Sequence, residues 1–153
     1  MQRDVVVRQA SEADASGLAR LLELFNGGSV DAATAARRLA ALEGIETVFL
    51  AFRDGTPVGL SSIRIPPNLS EDVPYAELTE LFVLPEYRRQ GIGSLLMAAA
   101  EELARSKKAT SIILLTGFKN ATAQSFYRQV GYTDYALAMW RKLPQVSDAE
   151  VVS

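Results

Sequence analysis

The 153-residue chain contains no cysteine and no histidine. Without cysteine there is no disulfide, no zinc–thiolate site and no thiol nucleophile. Without histidine the usual general base and the commonest metal ligand are both missing. Acid–base chemistry must therefore use Glu, Asp, Tyr, Lys or a terminal amine, directly or through water, and no metal is expected. Long apolar runs are missing too. None reaches the length that crosses a bilayer, and no basic-then-apolar leader opens the chain, so a cytoplasmic location without membrane association is the default expectation. Nor is there an excess of basic charge. Sixteen Lys and Arg against 18 Asp and Glu leave a net charge of -2, which offers nothing to attract nucleic acid or an anionic membrane.

What is present suits one ordinary domain. Apolar residues make up 48% and charged residues 22% of a chain long enough to bury a single core. The expectation is one domain over residues 1–143 and a disordered tail over 144–153, beginning at Pro144. Residues 5–7 read as a short strand. Ser11, Glu12, Ala13 and Asp14 form a helix-start signal before Leu18, Leu21, Leu22 and Phe25 at helical spacing. Asn26, Gly27 and Gly28 end that helix, and Asp31 opens a second with Ala35, Leu39 and Leu42 on its inner face. Residues 47–53 and 57–65 read as strands joined by Asp54-Gly55, a strong hairpin signal. Residues 66–74 form a loop by composition, either a lid or a plain surface connection.

A strand at 75–83 then leads into Arg88-Arg89-Gln90-Gly91-Ile92-Gly93 and a helix carrying Leu95, Leu96, Ala99 and Leu103 on one stripe. This junction is a candidate anion cradle. Glycines at 91 and 93 let the backbone come close to a ligand so that successive N–H groups converge on phosphate oxygens. The helix N-terminus adds donors and partial positive charge, and Arg88 and Arg89 add full charge. Neither common phosphate motif fits: a P-loop needs Lys-Ser/Thr where Ser94 and Leu95 stand, and a dinucleotide fingerprint needs glycine where Leu96 stands. A bland alternative remains, in which the glycines only mark a loop-to-helix junction and the arginines are solvated. Residues 110–116 give a further strand, a helix opens near Asn120, and a last strand is expected within 132–142.

The run from Leu81 to Leu96, with Arg88, Gly91 and Gly93 at its fixed positions, resembles the acetyl-CoA-binding core of the GCN5-related N-acetyltransferases. Asn120, Ala121, Phe126-Tyr127 and Gly131-Tyr132 resemble that family's downstream signature. The resemblance is strong over about 75–132 and weak before it. It implies an α/β fold with a mixed, mostly antiparallel sheet flanked by helices. Its element order is β-α-α-β-β-β-α-β-α-β, with a splayed slot between the fourth and fifth strands for the coenzyme. It also implies that acetyl-CoA is the acyl donor, contacted by Leu81, Phe82, Val83, Arg88, Arg89, Gln90, Gly91, Ile92, Gly93, Ser94, Asn120, Phe126 and Tyr127.

Chemical roles follow from that resemblance. Tyr127 is the candidate acid that protonates the departing thiolate, although its helical spacing with Ala123 and Val130 also suits a core residue. Asn120 is a contact for the coenzyme arm, an N-cap, or both. Glu77 and Glu80 are candidates for amine recognition and base chemistry, with Glu80 ranked first for contact with the acceptor. They stand three apart on a strand, so regular alternation sends them to opposite faces, and only a bulge between them brings both to one side. A backbone N–H near Phe82 or Val83 is the expected oxyanion donor. The implied reaction is direct acetyl transfer to a primary amine, cationic if both carboxylates face it: a small molecule, a protein lysine or an N-terminus. The resemblance admits a homodimer. A non-catalytic acyl-CoA-binding or sensing module and a nucleotide-binding regulatory domain are the competing readings.

Overall fold

A computed structural model describes residues 4–146. The elements, in chain order, are β1 (Val5–Gln9), a single 3-10 turn (Glu12–Asp14), α1 (Ala15–Asn26), α2 (Ala32–Ala41), β2 (Glu46–Arg53), β3 (Thr56–Arg64), β4 (Ala76–Val83), a second 3-10 turn (Pro85–Tyr87), α3 (Ile92–Ser106), β5 (Ile112–Leu114) and α4 (Ala121–Gln129). By its contacts the chain divides into two units, Met1–Leu115 and Thr116–Ser153. Among the described residues no helix is long and apolar enough to cross a membrane.

The first unit is a mixed sheet in the order β1-β2-β3-β4-β5, antiparallel throughout except for the parallel pair β4–β5. Local chemistry explains its turns and ends. Asp54 and Gly55 take φ of 51° and 78°, the left-handed pair that closes a two-residue hairpin between β2 and β3. Asp31 caps α2 by accepting a hydrogen bond from Thr34 N at 2.8 Å. Arg8 forks onto both carboxylate oxygens of Asp14, each at 2.8 Å, which ties β1 to the first helical turn and holds the Asp14 carboxyl down to about 2.

The core is built from α1 residues Leu18, Ala19 and Leu21, sheet residues Leu50, Val58, Leu60 and Phe82, and α3 residues Ile92 and Leu96, all buried. Helix α3 comes close to the sheet at one glycine. A Cβ added to Gly59 would stand 3.0 Å from Phe82 O, 3.1 Å from Leu96 Cδ1 and 3.3 Å from Val83 Cγ2. Gly59→Ala must therefore push β4 and α3 apart. It is expected to destabilise by about 1–3 kcal/mol, the usual cost of overpacking, seen as a lower urea midpoint at unchanged m-value. An unaltered midpoint would show that the helix gives way freely.

In the second unit, Asn120 caps α4 through its Oδ1, which accepts from Ala123 N at 3.1 Å. Gly131, at φ 100°, closes the helix, and Tyr132 N donates back to Tyr127 O at 2.9 Å. The strand expected within 132–142 is absent: residues 132–146 carry no regular structure. Tyr135, Leu137 and Met139 do alternate, but a strand exists only as a hydrogen-bonded ladder, and this run forms none. Its large apolar side chains stand exposed, Trp140 at 85%. Of the tail expected from residue 144, positions 147–153 lie outside the described residues.

Candidate active site

Strand β4 carries most of the predicted site, and its register with β3 decides what faces what. Arg64 pairs with Glu77, Ile63 with Leu78, Ser62 with Glu80 and Ser61 with Leu81. Thr79 has no opposite number, so it is the bulge residue. Ser62 and Arg64 stand two apart on β3 and share a face, so their partners Glu80 and Glu77 share that face as well. The bulge that the glutamate spacing requires is thus present, between the two.

The two carboxylates have different surroundings. Glu77 is engaged by Arg64, whose Nη2 lies 2.7 Å and whose Nε lies 2.8 Å from Oε2. Glu80 makes no ion pair among the described residues. Its side chain is exposed, yet partial burial of the carboxyl lifts its pKa above the ordinary value, and the nearby charge of Glu46 lifts it further.

Pairing between β4 and β5 covers only Ala76, Glu77 and Leu78, and β5 ends at Leu114. Among the described residues, β4 from the bulge onward therefore has a strand partner on one edge only. Leu84 N donates to Val58 O on β3 at 2.9 Å. Counting back along the strand, the N–H groups of Val83 and Leu81 turn to the other edge, where β5 no longer pairs. Phe82 is buried against Phe25, ring centroids 4.8 Å apart, and by the same count its N–H and C=O face β3, so neither its side chain nor its amide is presented at the open edge as the sequence reading expected.

The glycine loop continues directly from this edge. Arg89 at φ 61° and Gly91 at φ 80° both take the left-handed conformation, a strained choice for arginine. The space around a Cβ built on Gly91 is open to 4 Å, room that a bound group could use. The first bond within α3 is Leu95 N to Gly91 O at 3.1 Å, so the N–H groups of Ile92, Gly93 and Ser94 precede the ladder and are available as anion donors. Arg88 Nε donates to Val83 O at 2.9 Å, fixing that guanidinium at the open edge of β4. Arg89 and Ser94 are exposed, while the Ile92 side chain is buried in the core and leaves only its amide for a ligand. Gln90 is committed to the loop, its Oε1 accepting from Arg53 and its Nε2 donating to Glu86 O.

Within the second unit Phe126 and Tyr127 are both half-buried on α4. Tyr127 packs edge-on between Phe126 and Tyr132, centroids 5.5 Å and 6.1 Å away.

Sequence reasoning missed three residues of the β4 face. Glu46 Oε2 accepts hydrogen bonds from Ser62 Oγ at 2.5 Å and Thr79 Oγ1 at 2.9 Å. Two adjacent serines in an apolar strand, both buried, were the available signal. A cavity of about 660 Å³ opens where β2 and β4 begin, lined by Glu46, Ile63 and Ile65, by Glu71 and Asp72 of the 66–74 loop, and by Lys107.

Strand β4 thus bulges between two carboxylates, loses its β5 neighbour after Leu78 and leads into a helix that opens at Gly91. Residues 18–132 match the Acetyltransferase (GNAT) family. The chain belongs to that family. It is 42% identical over 83 residues to aminoalkylphosphonate N-acetyltransferase of Salmonella typhimurium, covering 54% of each, so it spans about half the length of that curated relative. It is 27% identical over 143 residues to aminoglycoside N(6')-acetyltransferase type 1 of Stenotrophomonas maltophilia, covering 90% of this chain and 92% of the relative. Its fold matches that of aminoglycoside N-acetyltransferase AAC(6')-Iy solved in complex with CoA, with a TM-score of 0.81 over 93% of this chain and 97% of that one at 19% identity.

Proposed function

We propose that the chain transfers the acetyl group of acetyl-CoA directly to a primary amine as a single acetyltransferase domain over residues 1–143. The observation that carries this is the bulge at Thr79, which turns Glu77 and Glu80 to one face at the point where β4 separates from β5. Acetyl-CoA fits the residues present: the N–H groups of Ile92, Gly93 and Ser94, the open space at Gly91 and the charge of Arg88 and Arg89 suit its pyrophosphate. When bound, it supplies an activated thioester carbonyl.

The chain's own groups then have distinct tasks. The Val83 or Leu81 amide, turned to the open edge, donates to the developing oxyanion. Glu80 attracts the ammonium and accepts its proton, directly or through one water, because Glu77 is held by Arg64. Tyr127 donates a proton to the departing thiolate. With no cysteine in the chain, transfer proceeds without a cysteine-bound acyl group. The paired carboxylates favour a cationic acceptor, either a small molecule, the class named for the two relatives above, or a protein lysine or N-terminus.

A panel of primary amines assayed for free CoA thiol tests the reading. Thiol release that depends on the amine is expected. Acetyl-CoA binding without turnover on any amine would instead identify a non-catalytic acyl-CoA module. Glu80→Gln refines the test. Protonated Glu80 cannot accept a proton, so kcat/KM of the native enzyme falls as the pH drops through the raised pKa of this group. The variant should lose that acid limb and about tenfold in kcat/KM for cationic amines, with little change for neutral ones. Glu77→Gln should leave the limb in place, and a limb lost there instead would transfer the base role to Glu77.

A further inference from the structure

Three groups from three strands meet on the carboxylate face of the sheet. Glu46 opens β2 and lies opposite Arg64 on β3, which in turn lies opposite Glu77 on β4. Glu46 Oε2 receives the hydroxyls of Ser62 and Thr79, and Thr79 Oγ1 also lies 3.2 Å from Ser62 O. Thr79 is the one residue of the central β4 ladder that β3 leaves without a partner. A bulge disturbs the ladder, and a side-chain hydrogen bond that holds the extra residue selects one bulged conformation among several. Ser62 is buried, so its hydroxyl needs this acceptor.

We propose that Glu46 is a positioning residue for acetyl transfer: it anchors the bulge through Thr79 and Ser62, and it sets a second negative charge beside Glu80 where a cationic acceptor is received. The inference rests on the acetyltransferase reading above. Its electrostatic half follows from what surrounds Glu80: Glu46 from β2, and the mutually paired Arg64 and Glu77 from β3 and β4. The β5 residues Ile112–Leu114 carry no charge, and α1 presents Phe25 to the neighbouring Phe82. Glu46 makes no ion pair among the described residues; Arg64 across the strand is bonded to Glu77 and feels the charge of both carboxylates, and the repulsion of Glu46 adds to the burial that raises Glu80. Removing that charge lowers the Glu80 pKa, so the acid limb of the rate moves to lower pH.

Glu46→Gln separates the two halves, because the amide oxygen still accepts from Ser62 and Thr79 while the charge is gone. The titration of the Glu80 side-chain carboxyl, followed by carbon NMR in the protein without substrate, should shift to lower pH in the variant. This readout needs no turnover, so it stands even where the amine panel fails and the acetyltransferase reading falls. In kinetics, KM for cationic amines should rise about fivefold, the effect of about 1 kcal/mol, while kcat at its pH optimum holds. Glu46→Asp makes the opposite change, since it keeps the charge but withdraws the carboxylate by one methylene from both hydroxyls. Here kcat should fall and amide exchange over residues 77–81 should quicken, with the Glu80 titration still raised. An unchanged Glu80 titration in Glu46→Gln would overturn the electrostatic half. Native exchange and native kcat in Glu46→Asp would overturn the anchoring half.

Discussion

Tyr127→Phe should lower turnover by about 10²- to 10⁴-fold while leaving acetyl-CoA affinity nearly unchanged, the span expected for loss of a fully used proton donor. The change deletes one oxygen and keeps the ring. The edge-on packing of position 127 between Phe126 and Tyr132 is therefore retained, and α4 should keep its fold. The assay is free-thiol release under saturating acetyl-CoA, with calorimetry for coenzyme binding on the same preparation. A preserved rate would make Tyr127 a packing residue and leave water as the proton source for the thiolate. Equal losses of rate and coenzyme affinity would mean that the phenol holds the coenzyme rather than protonating it.

Gly91→Val should weaken acetyl-CoA binding by about ten- to a hundredfold, the worth of one or two charge-assisted hydrogen bonds. Two causes act together. Valine disfavours φ of 80°, so the loop must change to relieve it, and its branches fill space that is open in the native protein. A thermal melt separates lost binding from lost folding. Gly91→Ala provides the milder comparison: one methyl in the same space, with weaker coenzyme binding in an otherwise stable protein. Native affinity in both folded variants would remove this loop from the coenzyme site and return it to the plain loop-to-helix junction.

Much of this architecture was legible because it is written locally. The Asp54-Gly55 turn, the Asp31 and Asn120 caps and the apolar spacing of Leu18 and Leu21 act within a few residues of themselves, and each element stands where its pattern points. The glycine loop was legible for the same reason, since a left-handed Gly91 before a helix N-terminus is a property of one short segment. The alternating run at 132–142 misled because alternation describes a strand's side chains, whereas pairing depends on a second segment. Glu46 was invisible for a related reason. Its importance comes from Ser62 and Thr79, 16 and 33 positions further along the chain.

By itself the sequence determined which chemistry is open to this protein. With neither histidine nor cysteine, any proton transfer must use Glu, Asp, Tyr, Lys or a terminal amine, directly or through water, and the spacing of Arg88, Gly91 and Gly93 marks a candidate anion cradle at a helix start. Only the tertiary structure decided which carboxylate is available and which way it faces. Side chains alternate along a strand, so a single unpaired residue reverses every assignment beyond it. That residue is Thr79, and its place is set by hydrogen bonds between three strands rather than by any preference of its own. The same pairing gives Glu77 to Arg64 and leaves Glu80, near the charge of Glu46, outside any ion pair among the described residues.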